Sequence, residues 1–350
     1  MHPSIKILII QNKIPQYRVP VFKELNRIYD ITVVYFQGDA PQSPGFDIIK
    51  YPGRIYKLNR FFLTPGLVKI AAGFDVLIIM FDISWINLML LPFQVGAKTI
   101  FWGHGIGRSS GNKFATPIRK YLAQKCNALL FYTDNAKALF IDSTNSNREK
   151  CFTAINTLLI SNAAISQEKK EYFLYLGRLQ GRKQLDDLLI AYSMLPKDLQ
   201  RISRVLIVGN GMDIKKKLSE LTLELHICPY VQFLEGAYDE SSIQMYFSKA
   251  YAYVSPRDVG LGVVHSFSYG TPVVTSRIAN HGPEIDYCSD ENSYLYDGSI
   301  NTLTNVLQSI LLNSEERNTK AQAAFNYYDN NLQFKYMIDG FVRSIKYSIV

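Results

Sequence analysis

Short apolar runs of strand length recur through the first half of the chain and alternate with segments of helical period. The runs occupy residues 5–10, 31–36, 76–81, 99–102 and 129–132, and helical segments such as 19–27 and 118–124 lie between them. Strands separated by helices predict a parallel sheet covered by helices. The first part of the chain is therefore predicted to be a Rossmann-like α/β domain.

The alternation starts again after a polar stretch at residues 166–171. Apolar runs follow at residues 172–176, 205–208, 231–234 and 251–254, with a helical segment at 185–192, and the pattern is helical again from residue 315. We expect a first Rossmann-like domain over residues 1–163 and a second over residues 164–330. A terminal helix over residues 331–350 is expected to cross back to the first domain. Ligands usually bind in the cleft between two such domains.

The composition is that of a folded protein without a membrane span. Hydrophobic residues make up 47% and charged residues 19% of the 350 positions, which excludes the disordered class. The four cysteines are far apart and form no Cys-x-x-Cys pair, so we expect neither a zinc site nor a disulfide framework, and a reducing cytoplasm. The longest apolar stretch, residues 76–93, contains Asp82 and Asn87. Any membrane contact is therefore expected to be peripheral.

Nearly all of the net charge of +8 lies in the first half of the chain. Up to Ile165 there are 19 basic and nine acidic residues, a net charge of +10, and the remaining 19 basic and 21 acidic residues give −2. This imbalance indicates an anionic partner for the first domain: nucleic acid, a membrane surface or a phosphorylated substrate. No nucleic-acid-binding module is recognised.

Two clusters of basic and aromatic residues favour the inner surface of an anionic membrane. The first comprises Arg54, Lys57 and Arg60 followed by the apolar residues 61–63. The second comprises Lys113, Arg119, Lys120 and Lys125. Charges that meet headgroups beside rings that enter the acyl boundary suit such an interface. The alternative is a basic face that is merely soluble.

A glycine-containing basic loop follows the first strand of the second domain. Gly177, Arg178 and Lys183 stand between the strand at 172–176 and a helix. The free N–H groups of a helix N-terminus and the two cations would suit a diphosphate, whereas the alternative is a solvated basic turn. The Gly-Asn-Gly sequence at residues 209–211 lacks the third glycine of a dinucleotide fingerprint and is interpreted as a plain turn.

A second glycine-containing loop follows the strand at 251–254. Gly260 and Gly262 would let the backbone approach a ligand closely. His265 lies on an apparent helix that ends before Gly-Thr-Pro at 270–272. Taken alone, a histidine in this position is more often a helix residue whose hydrogen bonds are satisfied within the fold than a functional one.

The order of these segments resembles that of the group-one, or family-four, retaining glycosyltransferases of the GT-B fold. The likeness covers most of the chain, and two first-domain motifs resemble a bacterial polysaccharide-assembly branch. The motifs that carry it are Asn12-x-x-Pro15-x-Tyr17-Arg18-x-Pro20-x-Phe22, Trp102-Gly103-His104-Gly105, Asn156-Thr157-Leu158, Gly177-Arg178-Leu179 with Lys183, residues 206–211, Phe233-Leu234-Glu235-Gly236 and residues 255–274.

The resemblance implies an α/β protein of the GT-B fold, in which two Rossmann-like domains with parallel sheets face a central cleft. The second domain would hold a nucleoside-diphosphate sugar, with UDP modestly preferred, and no metal or other cofactor. The sugar would pass, with retention of configuration, to a hydroxyl of a lipid-linked or oligosaccharide acceptor. Such a hexosyltransferase would build O-antigen or other lipopolysaccharide, capsule or a similar surface polysaccharide, at the inner face of the plasma membrane.

The resemblance also assigns site residues. The predicted catalytic residues are Arg178, Lys183 and His104. Arg178 and Lys183 would stabilise the leaving diphosphate. His104, which follows the strand at 99–102, is the first-domain candidate for the cleft or, equally, an ordinary turn histidine. The predicted acceptor-binding residues are Tyr17, Arg18 and His104. The predicted donor-binding residues are Gly177, Glu235, Arg257, Asp258, Gly260, Leu261 and His265.

One departure from the family pattern bears on the donor. Arg257 and His265 stand where the family has two glutamates, of which the first contacts the transferred sugar and the second the ribose. A histidine can still hydrogen-bond a hydroxyl, but an arginine cannot accept a hydrogen bond. Asp258 or the backbone N–H groups of Gly260 and Leu261 would then hold the sugar. A nucleotide-sugar epimerase of the same architecture and a non-catalytic nucleotide-sugar-binding relative stay open as alternatives.

Overall fold

The computed structural model describes residues 5–106 and 115–350. The chain divides into two compact units, which we call the first unit (Met1–Leu159 with Phe334–Val350) and the second unit (Ile160–Gln333). The sequence placed these boundaries at residues 163 and 330. Each unit is an α/β structure built on a parallel sheet, as predicted.

The first unit contains a parallel sheet and a separate antiparallel hairpin. Its strands are β1 (Lys6–Gln11), β2 (Asp30–Tyr35), β3 (Asp47–Lys50), the hairpin strands β4 (Tyr56–Leu58) and β5 (Phe61–Leu63), β6 (Val76–Met80), β7 (Lys98–Gly103), β8 (Ala128–Phe131) and β9 (Cys151–Thr153). Its helices are α1 (Val19–Asn26), α2 (Leu67–Ala71), α3 (Ile86–Leu90), α4 (Ala115–Lys125) and α5 (Asp134–Thr144).

The strand order of the first sheet is β3-β2-β1-β6-β7-β8-β9, and every neighbouring pair is parallel. Both faces are apolar: Ile7 and Ile9 lie in one buried cluster, and Leu8 and Ile10 lie in the other. Because successive strand residues point to opposite faces, a continuous apolar run fits a strand that is covered on both sides.

The second unit repeats this plan. Its strands are β10 (Tyr172–Leu176), β11 (Arg204–Val208), β12 (Val231–Leu234), β13 (Ala250–Val254), β14 (Val273–Ser276) and β15 (Ser293–Tyr296). Its helices are α6 (Leu185–Ser193), α7 (Lys197–Ile202), α8 (Met212–Glu224), α9 (Glu240–Ser248), α10 (Gly262–Ser268), α11 (Ile300–Leu312) and α12 (Ser314–Tyr327), followed by a π-helical turn, Tyr328–Leu332. The parallel order β12-β11-β10-β13-β14-β15 is that of a Rossmann sheet.

The last helix, α13 (Phe334–Ile349), belongs to the first unit although it follows the second in sequence. It buries Met337, Phe341 and Ile345 in the cluster that also contains Ile7. A Cβ added at Gly340 would lie 2.1 Å from the carbonyl oxygen of Thr153. The glycine therefore lets α13 approach the end of β9 closely.

Candidate functional site

The central strands of the second sheet bring the two glycine-containing loops together. Strand β10 pairs on one side with β11, the next strand in the chain, and on the other side with β13. Loops at such a switch in strand order, at the carboxyl ends of the strands, form the usual ligand crevice of an open α/β sheet. The loops here are residues 177–184 and 255–261, which we call the basic loop and the β13 loop. Tyr253 Oη donates to the carbonyl oxygen of Leu176 at 3.3 Å beneath them.

The basic loop is fixed by the neighbouring strand exit. Gly177 N–H donates to Val208 O at 3.0 Å, and Leu179 N–H donates to Asn210 O at 2.9 Å. A Cβ at Gly209 would lie 1.9 Å from the carbonyl oxygen of Gly177. The Gly-Asn-Gly sequence, predicted to be a plain turn, therefore supports the basic loop by a backbone approach that only glycine permits.

Three charged side chains join the basic loop to the β13 loop. Lys183 is only 8% exposed, and its ammonium donates to the carbonyl oxygen of Asp258 and lies 3.7 Å from the Asp258 carboxylate. Arg182 pairs with the same carboxylate. The Nζ of Lys183 is also 3.9 Å from the position that a Cβ would take on Gly260. Lys183 is therefore held in place before any ligand arrives.

The β13 loop is held from below by groups that the sequence did not single out. Asp258 has a left-handed backbone with φ +42°, and its Oδ1 accepts from Gly282 N–H at 3.1 Å. Val259 N–H donates to His281 Nδ1 at 3.1 Å. Because Nδ1 accepts, Nε2 carries the ring proton and donates to Ser276 O at 2.6 Å. His281 was missed because only the fold brings it to this loop.

Arg257 turns towards helix α6 and the end of β15. Its Nε lies 3.7 Å from Asp187 Oδ2, and its Nη2 donates to Gly298 O at 3.5 Å. The Nε atom is buried and makes no hydrogen bond within the described residues. Burial is the main cause that raises the pKa of Asp187, and Arg257 opposes it. Asp187 is therefore a half-buried ion-pair partner of Arg257.

His265 lies in α10 with its ring against Phe247, at a centroid distance of 6.2 Å. Burial lowers the pKa of His265 to about 4, although the nearby Glu240 acts in the opposite direction. The ring is therefore neutral near pH 7. Its Nδ1 is buried and has no hydrogen-bond partner within the described residues, so the interpretation as a helix histidine with satisfied hydrogen bonds does not fit.

The remaining predicted donor residues differ in exposure. Arg178 is exposed beside Lys183 on the same loop, and Leu261 caps α10. Because α10 has only seven residues, the side-chain cations rather than a helix dipole supply most of the positive charge. Glu235 is exposed at the end of β12, and its Oε1 accepts from Lys215 Nζ at 2.9 Å. The structure thus brings Lys183, Asp258 and Gly260 together and leaves Glu235 in a separate ion pair.

Two of the predicted acceptor residues of the first unit, Arg18 and His104, lie against Tyr132, and the third, Tyr17, lies against Arg18. The His104 ring, at the end of β7, lies 4.7 Å from that of Tyr132, and the Arg18 guanidinium carbon lies 5.4 Å from the same ring. The guanidinium also lies 5.2 Å from the exposed ring of Tyr17. Arg18 itself is 6% exposed and donates to Asn156 Oδ1 at 2.8 Å. The structure places it inside the unit, and its contact with an acceptor stays a prediction.

Both basic clusters lie next to exposed apolar side chains. Arg54 lies over Tyr56 and Arg60 over Phe61 on the β4-β5 hairpin, where Tyr56 and Leu58 are exposed. On α4, Ile118 and Tyr121 are exposed, Tyr121 stacks on Phe93 at 5.7 Å, and Lys125 lies over Tyr121. Lys113 lies outside the described residues.

Two features are absent from the described residues: a cluster of metal ligands and a membrane-spanning helix. In residues 5–106 and 115–350, no group of three or more His, Cys, Asp or Glu side chains is placed to hold a metal ion. Within the same ranges, no helix has both the length and the apolar character that a membrane crossing needs.

Comparison with known proteins agrees with these features. Residues 159–327, almost all in the second unit, match the family model described as glycosyl transferases group 1. An uncharacterised glycosyltransferase from Haemophilus influenzae is 25% identical over 261 residues, which cover 70% of this chain and 71% of the relative. The O-antigen chain mannosyltransferase RfbU from Salmonella typhimurium is 26% identical over 165 residues, 46% of this chain and 45% of RfbU.

The whole chain also resembles a solved structure. Anabaena HepE in complex with UDP has a TM-score of 0.78 at 14% identity, over 98% of this chain and 100% of HepE. The predicted GT-B architecture of two Rossmann-like units is thereby confirmed. The family match to the second unit and the Haemophilus influenzae relative support a group 1 glycosyltransferase.

Proposed function

We propose that this protein is a glycosyltransferase whose second unit binds a nucleoside-diphosphate sugar between the basic loop and the β13 loop. The observation that carries this proposal is the position of Lys183, held by Asp258 next to Gly260 at the switch in strand order. The carboxylate of Asp258 offsets only part of the positive charge of Arg178, Arg182 and Lys183. The remaining positive charge suits a diphosphate. The UDP bound to HepE supports a uridine donor.

In the proposed reaction the bond between the sugar C1 and the diphosphate breaks, and the acceptor oxygen forms a new bond on the same face of C1. Negative charge develops on the leaving diphosphate, where Lys183 and Arg178 stabilise it without reorganisation because the loop already holds them. The acceptor proton passes to the leaving phosphate oxygen, so this scheme needs neither a side-chain base nor a metal ion. Retention is tested by the anomeric coupling in the NMR spectrum of the product.

We further propose that the acceptor is a lipid-linked saccharide of a surface polysaccharide, held by the first unit. The similarity to RfbU, an O-antigen chain mannosyltransferase, supports this class of pathway. The exposed hairpin and the α4 surface support peripheral contact with an anionic membrane, because cations there adjoin exposed Leu58, Ile118 and Tyr121. Liposome sedimentation tests the contact: equal binding to neutral and anionic vesicles at low salt would refute it.

The donor assignment is tested by thermal shift with UDP-, GDP-, ADP- and CMP-sugars. A ligand that binds only the folded state at a hundred times its Kd stabilises it by about 2.7 kcal/mol, so one nucleotide class should stand out. Incubation of that donor with and without a lipid-linked saccharide then separates the classes of activity. A sugar product without acceptor would indicate an epimerase, and binding without turnover a non-catalytic relative.

A further inference from the structure

The first unit contains a buried cation that has no carboxylate partner within residues 5–106 and 115–350. Arg18 is 6% exposed, and within the described residues its guanidinium forms no ion pair. Its hydrogen-bond acceptors there are Asn156 Oδ1, at 2.8 Å, and the thioether of Met337, at 3.6 Å. Both are neutral. Buried charges are normally paired, so the positive charge of Arg18 requires another explanation.

Aromatic rings enclose the guanidinium. Its central carbon lies 4.6 Å from the Trp102 ring and 5.4 Å from the Tyr132 ring. Tyr17, whose ring lies 5.2 Å from the same carbon, is 41% exposed. Cation–π contacts stabilise the cation but leave its N–H groups directed outward from the rings.

Two further hydrogen-bond donors at the same end of the sheet are unpartnered. Gln11 Nε2 and Trp102 Nε1 are buried and have no hydrogen-bond partner within the described residues. Gln11 follows Ile10, which pairs with Ile79, and Met80, the next residue, pairs with Trp102. Gln11 and Trp102 therefore occupy one row across β1, β6 and β7, and residues of one row in a parallel sheet share a face. Buried donors are nearly always satisfied in folded proteins.

Arg18, Gln11 and Trp102 all present donors, and the one formal charge among them is positive; the neighbouring Asn12 Oδ1 is a buried acceptor that also has no partner within the described residues. A ligand that satisfies Arg18, Gln11 and Trp102 must therefore supply acceptor oxygens and negative charge. These side chains lie at the carboxyl ends of β1 and β7, next to the exposed His104, and ligands of open α/β sheets bind at that edge. We propose that the first unit binds a phosphate-type oxyanion at Arg18, and, given the proposed function, that this is the phosphate of the acceptor.

The two tryptophans of the chain allow a direct test. Trp85 lies between Phe36 and Phe62, stacked at 4.5 and 4.7 Å, so Trp85→Phe keeps an aromatic ring there and leaves Trp102 as the single indole. Inorganic phosphate is titrated into this variant at constant ionic strength, with chloride as the control anion. We expect a saturable change of tryptophan emission with phosphate and none with chloride.

Matched variants separate this site from the donor site. In the Trp85→Phe background, Arg18→Gln should weaken phosphate binding at least tenfold, whereas Lys183→Ala should leave the Trp102 signal unchanged. No saturable change in the folded Trp85→Phe protein, or the same affinity in Arg18→Gln, would overturn the proposal. If Arg18→Gln does not fold, Gln11→Leu decides: weaker binding by about threefold or more supports the site, and unchanged binding overturns it.

Two phosphorylated probes then identify the source of the oxyanion. A short-chain prenyl phosphate represents a lipid-linked acceptor, and a hexose phosphate represents a soluble one. Either one binding at Trp102 with dependence on Arg18 supports the site and assigns its source. If the folded Trp85→Phe protein binds phosphate at Trp102 but transfers no sugar, this result would count against the proposed function and not against this site.

Discussion

The two units build the same kind of sheet but hold their central cations differently. In the second unit, Lys183 is fixed by the carbonyl and carboxylate of Asp258. In the first, Arg18 is enclosed by aromatic rings and forms no ion pair within the described residues. Asp258 partly neutralises the charge of Lys183 and fixes the direction of its ammonium group before a ligand binds. No carboxylate of the described residues pairs with the charge of Arg18. Two sheets of the same kind thus hold a buried cation in two ways, one by a carboxylate and a carbonyl and the other by aromatic rings.

The match to the glycosyl transferases group 1 model follows the same division. It covers residues 159–327 and therefore the unit in which Lys183 and Asp258 lie. The first unit, with Arg18 and His104, lies outside the match apart from Leu159. The family comparison therefore bears on the unit that holds Lys183 and not on the unit that holds Arg18.

The largest effect is expected from removing the fixed cation. Lys183→Ala should slow sugar transfer by about 10²–10³-fold, the usual loss when one preorganised donor to a developing anion is deleted. Lys249→Ala is the matched control, because this lysine pairs with Glu171 on the surface. Steady-state kinetics and circular dichroism would be compared for the two variants. Equal rates in folded proteins would remove Lys183 from the site.

The next effect concerns the support of the basic loop. Gly209→Ala would place a Cβ 1.9 Å from Gly177 O and should lower the free energy of unfolding by about 3 kcal/mol. Gly181→Ala is the control, because nothing lies within 4 Å of its added Cβ; it should be neutral or slightly stabilising. Urea denaturation measures both. Similar stabilities would show that the loop yields easily and is not preorganised.

A pH-dependent effect is expected from His265. Because its pKa falls from 6.5 to about 4 on folding, the unfolded state binds more protons between these values, and stability therefore rises with pH across this window. Between pH 6.5 and 4 the wild type should lose about 1–3 kcal/mol that His265→Gln does not lose. Chemical denaturation at a series of pH values tests this. Parallel pH profiles would contradict the buried neutral ring.

The smallest effect is expected at Asp187. Its ion pair with Arg257 is long, 3.7 Å, so Asp187→Asn should destabilise the protein by no more than about 1 kcal/mol. Asp186→Asn, one residue away, is the control and should be neutral. Thermal unfolding measures both variants. A much larger loss for Asp187→Asn would mean that Arg257 depends on this carboxylate more than the geometry indicates.

The sequence predicted the elements that rest on local pattern. The run at 172–176 coincides with β10, whose three middle residues are buried, since buried strands are continuously apolar. The run at 231–234 coincides with β12, an edge strand that is only partly buried. The short strands β3, β4, β5 and β9 were missed because their three or four residues are only partly buried or carry no distinct period. Their place is set by pairing with neighbours, which a local pattern does not contain.

The residues of the candidate site also fall into two groups: those that a local sequence pattern predicts and those that only the fold brings to the site. Gly177 and Lys183 could be found because a glycine and a cation follow a strand in a short motif. The roles of His281 and Gly209 could not, since both depend on contacts with segments 22 or more residues away. The burial of Arg18 was equally hidden: Met337, which packs against it, lies 319 residues further along the chain.

The central claim is that the cation held by Asp258 binds the diphosphate of the donor. Isothermal titration calorimetry with UDP tests it most directly, in the wild type, Lys183→Ala and the control Lys249→Ala. We predict that Lys183→Ala weakens UDP binding at least tenfold while Lys249→Ala binds like the wild type. Equal UDP affinity in all three folded proteins would contradict the account.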